Sequence, residues 1–313
     1  LFLNRPSISP PFSLRVRAEA GELGVAFNEI YKANFTDLIP PWDMSPVSCD
    51  MSFREINKRH APRELILQHF QHLQHKYPYT TFYTDASKTA TAVSCAAHGP
   101  HFTSTRTLNR NTSIFTAEAH GILPKMKHIT ETKTQQSVIF TASLSVVMAL
   151  HSGRTSRNTT LNELIKTIMF AHNKKLTVIV CWVPGHCGVL GNEIADQNAA
   201  VAALRSDVDV PRVPCEDLKP LLRRTLRERW QTTWDTQTDN KLHLVKPRIG
   251  RYTTDRQNRY IEVSLTRLRI GHTHATHSHL LTGSPRPLCS RCGEHLSVIH
   301  ILTECKPLDA TRR

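Results

Sequence analysis

The alternation of apolar and polar positions changes character at Tyr77. Before it, periodicity is weak and Pro10, Pro11, Pro40, Pro41 and Pro46 punctuate the chain, so residues 1–76 read as a linker remnant, mostly irregular, with one short helix near 62–75. After it, PYTTFYTDAS, AVSCAAHG and HFTSTRTL form three runs rich in aromatic and β-branched residues, separated by short breaks, as in an antiparallel meander. A helix is predicted to begin at Thr116, a good N-cap, with Ile122, Met126 and Ile129 spaced along one apolar face. SVIFTAS (137–143) predicts a short strand that runs into a short helix over LSVVMALHSG. TLNELIKTIMFAHNKK (160–175) predicts a longer amphipathic helix capped by Thr160. The nearly continuous apolar run LTVIVCWVPGH (176–186) fits a strand covered on both faces, and GNEIADQNAAVAAL (191–204) fits an Ala-rich helix capped by Asn192.

The resulting order, β-β-β-α-β-α-α-β-α, predicts an α/β domain over 77–204 with a mixed five-stranded sheet and flanking helices. RSDVDVPRVPCE (205–216) reads as a linker from its prolines and charge. A basic helix over 216–236 and a second helical stretch over about 255–283 make 205–283 a basic helical connector, and 284–313 is left as a small cysteine-rich module with a tail.

Charge adds a direction. The 40 Lys and Arg against 26 Asp and Glu leave a formal +14, a field that favours polyanions such as nucleic acid. No run of about 18 apolar residues exists for a membrane span, and the opening LFLNRPSISPPF fits no secretory signal. Residue 1 is Leu, so the chain reads as cut from something longer. Of the eight cysteines, Cys49, Cys95, Cys181, Cys187 and Cys215 are scattered, whereas Cys289, Cys292 and Cys305 cluster near one histidine. That usage points to metal binding in a reducing, intracellular compartment, cytoplasm and nucleus not being distinguished.

Three acids stand beside the segments that should be buried: Asp85 at the end of the first strand, Glu118 in the first turn of the first helix and Asp196 in the last helix. Singly, each has an ordinary explanation as a turn residue, a helix-dipole partner or a solvated helix position. Together they would converge at one sheet edge. Carboxylates so placed can hold two divalent ions roughly 3.5–4 Å apart for phosphodiester hydrolysis, and hard oxygen ligands suit magnesium or manganese.

The strings YTDAS (83–87), FTAEAHGI (115–122), IFTASLSVVMAL (139–150) and WVPGHCGVLGNEIAD (182–196) together resemble the type 1 ribonuclease H domain of non-LTR retrotransposon polyproteins, over about 77–204. The resemblance implies a ribonuclease H fold, Mg2+ or Mn2+ as cofactor, an RNA–DNA hybrid as partner and an upstream reverse transcriptase in the intact polyprotein. It makes Asp85 the acid that bridges both ions, Glu118 and Asp196 ligands of one ion each, and His186 a helper in proton transfer or product release. It also exposes a departure. The family's fourth acid should stand in Thr-Asp-Ser, and this chain reads Thr141-Ala142-Ser143. Losing a carboxylate removes a ligand and leaves the ions less neutralised, so a fall of several orders of magnitude in rate is expected, and neighbouring Ser143 is a poor substitute.

Two readings follow: a hybrid-cleaving nuclease impaired through Ala142, or a catalytically inactive nucleic-acid-binding fragment. Gly121, an interior Pro124 that costs roughly 3 kcal/mol in a helix, and Lys125 at a position the family keeps small and buried all point to relaxed selection. Substrate would be read by shape, phosphates and 2′-hydroxyls, with Lys88, Arg106, Arg110, Arg154 and Arg157 as candidate phosphate contacts.

Cys289-x2-Cys292-x7-His300-x4-Cys305 supplies three thiolates and one imidazole, a full complement for a closed structural Zn2+ site. RLRIGHTHATHSHLL with PLCSRCGEHLSVIHILTEC also resembles the region downstream of ribonuclease H in the same elements, with its C-terminal CCHC zinc knuckle. His272, His274, His277 and His279 read as polar surface residues rather than a second metal site.

Overall fold

The computed structural model describes residues 9–22, 24–32, 39–40, 42, 47–56, 61–154, 156–240, 242–243, 246–250 and 258–312. Pro41 and Pro46 of the predicted linker and the start of the second helical stretch at 255–257 lie outside the described residues. The chain divides into two compact units, 1–222 and 223–313. No described helix is long and apolar enough to cross a membrane.

The first unit runs α1 (Phe12–Glu22), β1 (Cys49–Asp50), α2 (Arg63–Lys76), β2 (Thr80–Lys88), β3 (Val93–Gly99), β4 (Phe102–Leu108), α3 (Ile114–Thr132), β5 (Gln136–Thr141), α4 (Leu144–His151), α5 (Thr159–Asn173), β6 (Thr177–Trp182) and α6 (Leu190–Ala202), and ends within α7 (Cys215–Asp235). The sheet has the order β1-β6-β5-β2-β3-β4. β2, β3 and β4 form the antiparallel meander, while β5 and β6 join it in parallel. Parallel strands need cover on both faces, which is why β5 and β6 carry fully buried Val138, Ile139, Phe140, Val180 and Cys181 in succession.

The predicted apolar face of α3, Ile122, Met126 and Ile129, packs with Leu164 and Ile168 of α5 against Ile139 and Val180 on one side of the sheet. The other side is covered by Phe53, Ile66, Phe70 and Leu73 against Val138, Phe140 and Cys181. Those four residues correct the reading of 1–76 as linker: α2 spaces Ile66, Phe70 and Leu73 along one stripe, and β1 adds a sixth strand where five were predicted, parallel to β6. Asp50 fastens this segment, accepting from the Ser52 N–H at 2.9 Å, Lys76 Nζ at 2.8 Å and the Tyr77 hydroxyl at 2.8 Å. Nor is 205–216 a free linker, because Val210 bridges Leu108, Val213 bridges Ile30, and Asp209 accepts the Thr107 N–H at 2.8 Å.

Three predicted caps move. Ser113, not Thr116, caps α3, its hydroxyl accepting the Thr116 N–H at 3.1 Å, so Glu118 falls in the second turn. Asn158, not Thr160, caps α5 by accepting the Leu161 N–H at 3.1 Å. Asn192 lies inside α6, which starts after Val189. In α3 and α5 the hydroxyl or amide that reaches the open N–H groups stands two or three residues before the residue that sequence favoured, and at α6 the capping position is Val189, which has no polar side chain to offer.

α3 runs on through Pro124. Gly121 faces the sheet, where a Cβ would meet the carbonyl oxygens of Ala96 at 3.4 Å and Asp85 at 3.6 Å. Lys125 is fully buried, its ammonium 4.2 Å from the centroid of the Phe82 ring and 3.5 Å from that of Phe102. The second unit holds the rest of α7, α8 (Arg259–Ile270), α9 (His274–His277), α10 (His279–Thr282) and a Cys-rich turn, with little buried apolar surface.

If the segment before Tyr77 is core, Phe53→Ala should lower the unfolding free energy of the first unit by about 3–5 kcal/mol in urea titration, the cost of a large buried aromatic. A change within about 0.5 kcal/mol, as for a surface position, would return the segment to linker status.

Candidate active site

The three acids feel one another's charge: Asp196 acts on Asp85, and both act on Glu118. Thr84 pairs with Thr141 across the parallel β2–β5 ladder, so Asp85 and Ala142, one residue further along each strand, emerge side by side. Glu118 comes from α3 above this edge, Asp196 from the middle of α6, and His186 from the loop between β6 and α6.

Asp85 and Glu118 are buried, with 6% and 7% exposure. Asp85 Oδ1 accepts the Ala86 N–H at 2.9 Å, and Oδ2 accepts from Asn192 Nδ2 at 3.3 Å. Burial pushes the Asp85 carboxyl up to about 6, against the pull of the Ala86 N–H, and the Asp196 charge adds to the rise. Glu118 is raised well above the ordinary carboxylate range by burial first and then by the charges of Asp85 and Asp196. Its Oε2, Thr84 Oγ1 and Asn192 Oδ1 are buried without a hydrogen-bond partner.

His186 adopts a left-handed backbone, φ 55°, uncommon outside glycine, and its exposed ring places Nδ1 3.5 Å from Asp196 Oδ2. The loop around it is braced by the Gly188 N–H donating to Glu193 Oε1 at 2.7 Å. Sequence reasoning missed Asn192 as a partner of Asp85. The signal was its place four residues before Asp196, which sets both on one face of α6.

Ala142 brings only a methyl, 3.5 Å from where a Cβ on Gly185 would stand, and its carbonyl accepts from Trp182 Nε1 at 3.0 Å. Ser143 Oγ is engaged with Ser145 Oγ at 3.2 Å. Of the candidate phosphate contacts, Lys88 is already committed, its ammonium donating to the Thr112 carbonyl, while Arg110, Arg154 and Arg157 stand exposed.

Burial raises both carboxyls, the Asp196 charge adds to the rise at each, and oxygen donors of this kind could hold a hard divalent ion.

In the second unit, Cys289 Sγ, Cys292 Sγ, Cys305 Sγ and a His300 ring nitrogen all lie within 4.8 Å of one another. The Cys289 N–H donates to the Glu294 carbonyl at 2.7 Å and the Gly293 N–H to the Cys289 carbonyl at 2.8 Å, with Gly293 at φ 80° closing the turn. Cys305 Sγ stands 3.8 Å from both Cys289 Sγ and Cys292 Sγ, close to the edge of about 3.8 Å implied by tetrahedral thiolates about 2.3 Å from zinc. His300 Nε2 faces Cys292 Sγ at 3.2 Å, while Nδ1 stands 3.8 Å from the exposed Glu304 carboxylate. His272 and His277 stack at 3.9 Å, and the described residues hold no metal-type cluster around these histidines.

The mixed sheet thus carries buried Asp85 on β2 beside the end of β5, with buried Glu118 supplied by α3. Residues 78–204 match the RNase H family model, so the chain carries an RNase H domain over that span. Among solved structures, RNase H1 from Halobacterium salinarum NRC-1 aligns at 15% identity over 39% of this chain and 96% of that one, with a TM-score of 0.32. The N-terminal RNase H domain of a Mycobacterium tuberculosis protein, fused to maltose-binding protein, aligns at 15% identity over 40% of this chain and 94% of that one, with a TM-score of 0.32. No curated protein compared with the chain matches it.

A carboxyl whose folded pKa lies above its unfolded value holds its proton more tightly when folded. The stability it brings is complete below about pH 4 and lost as pH rises through about 6. Metal-free Asp85→Asn should therefore resist urea better than the parent at pH 7.5, by about 2–3 kcal/mol, and the gap should close near pH 4. Equal stability of the two at pH 7.5 would mean that Asp85 is not strained by its surroundings.

Proposed function

We propose that the domain hydrolyses the RNA strand of RNA–DNA hybrids, as part of a retrotransposon polyprotein with an upstream reverse transcriptase, and that this chain is impaired because Ala142 stands where a fourth acid belongs. The observation that carries the reading is the convergence of buried Asp85 and Glu118, each raised by burial and by the Asp196 charge. Asp85, Glu118 and Asp196 would hold Mg2+ or Mn2+, which when bound activates water and steadies the leaving oxygen. Asn192 fixes the Asp85 carboxylate, and His186, poised at Asp196, would carry a proton at Nδ1 toward or away from that acid.

The second reading, an inactive nucleic-acid-binding fragment, is favoured by Ala142 itself, since a methyl cannot ligate an ion and Ser143 is turned to Ser145. The basic surface and fold would persist without the chemistry. In the second unit, Cys289, Cys292, His300 and Cys305 would hold structural Zn2+ in place of a hydrophobic core too small to fold alone.

Cleavage of a labelled hybrid with Mg2+ or Mn2+ separates the readings. Ala142→Asp should cleave roughly a thousandfold faster than the natural chain, the scale of a restored catalytic group, with Asp85→Asn in that background as the blank. Equal rates would show that another acid completes the site, and silence in both would leave the binding fragment. Elemental analysis should find one zinc per chain, lost in Cys305→Ser; a natural chain purified without zinc, with its C-terminal unit still folded, would contradict the zinc assignment.

A further inference from the structure

The N-terminal turn of α3 is tied down by a residue beyond the RNase H match. We propose that Asp217, in the first turn of α7, is a positioning residue for Glu118: it clamps the start of α3 and thereby sets where the Glu118 carboxylate stands. The inference rests on reading Glu118 as an acid of the nuclease site.

A helix leaves its first N–H groups without internal partners, and α3 has no acid in its own first turn. Ser113 already serves as the cap. Asp217 adds a tertiary tether on top: Oδ2 accepts the Ser113 N–H at 2.9 Å, and Oδ1 accepts the Ser113 hydroxyl at 2.8 Å and the Thr116 hydroxyl at 2.9 Å. From the opposite side Asn158, the cap of α5, donates its amide to Thr116 Oγ1 at 2.7 Å. Asp217 is buried, and its negative charge stands at the positive end of the α3 dipole. Lys88, bonded to the Thr112 carbonyl just ahead of the cap, feels the same charge.

The clamp is itself held. Val213 bridges Ile30, and Leu218 packs with Ala20 and Val25, so the first turn of α7 is anchored to the N-terminal segment rather than swinging free. Both anchors lie outside the span 78–204.

What makes this positioning rather than added stability is the condition of Glu118. It stands two residues past Thr116, and its Oε2 has no partner of its own. The carboxylate thus takes its place from the backbone of the turn that Asp217 grips.

The test uses the full chain carrying Ala142→Asp, with Asp217→Ala and Asp217→Asn added separately. Amide hydrogen exchange over residues 114–118, Mn2+ affinity by calorimetry, and kcat and KM on hybrid are measured beside urea unfolding. Asp217→Ala should speed exchange at 114–118 at least tenfold, weaken Mn2+ about tenfold and lower kcat with KM within twofold. Asp217→Asn keeps the shape and an acceptor for the Ser113 N–H, and should recover most of the loss. The proposal is overturned if exchange at 114–118 is unchanged, if folded Asp217→Ala keeps Mn2+ affinity and kcat within twofold, or if Asn does no better than Ala. A parent that neither binds Mn2+ nor cleaves removes the site, and the proposal with it, whatever the exchange shows.

Discussion

Holding Asp85 and Glu118 out of water in one another's field is unfavourable, and much of the first unit is arranged to make it unavoidable. Burial drives both carboxyls upward, and Asp196 reinforces the effect. A chain left to itself would turn such groups outward. Here the parallel β2–β5 register fixes Asp85 within β2, just past the end of β5, α6 lies against β2 with Asn192 bonded to Asp85, and α3 is pinned at its first turn. Each element alone leaves an acid an escape to solvent; together they close it. A cation of the kind proposed for the site would relieve that strain.

How much of this could be read in the sequence depended on the range of the interaction. The order of elements over 77–204 and the buried face of α3 follow from local periodicity, and Asp85, Glu118 and Asp196 were singled out from their places beside apolar segments. The segment before Tyr77 was misread because its contributors to the core are spread over separate pieces: Phe53 sits in a single turn, Ile66, Phe70 and Leu73 on a helix, and β1 is two residues long. None makes a pattern by itself. The caps failed for a related reason. Thr116 is an eligible cap that its neighbours recruit instead as a tertiary hydroxyl, bonded to Asp217 and Asn158, and Asn192 is spent on Asp85.

Lys125 and Pro124 set the scale of what the fold tolerates. The lysine is sealed between two aromatic rings, its Nζ without a hydrogen-bond partner and its pKa drawn down by burial to about 7. Such a residue weakens a core without dissolving it, since the ammonium can shed its proton and the rings attract what charge remains. Gly121 reads differently once the packing is seen, because it stands where α3 meets the backbone of Asp85 and Ala96. The features that looked like decay therefore separate: the helix has found accommodations for its odd residues, whereas Ala142 offers only a methyl and the adjoining Ser143 Oγ is engaged with Ser145.

The shortest element has the widest reach. β1 offers only Cys49 and Asp50 to the sheet, with the Ser48 carbonyl accepting the Val180 N–H at 3.0 Å, yet it lies along the outer side of β6. That strand reads TVIVCW, uncharged and rich in β-branched residues, the composition that recruits other chains when its edge is bare. A domain cut where the family resemblance begins would keep its acids but lose Phe53, Ile66, Phe70 and Leu73 from one side of the sheet and expose this edge, so it would be open to aggregation as well as weakened. The boundary that matters for solubility therefore falls before residue 47, some thirty residues upstream of the boundary that matters for recognising the domain.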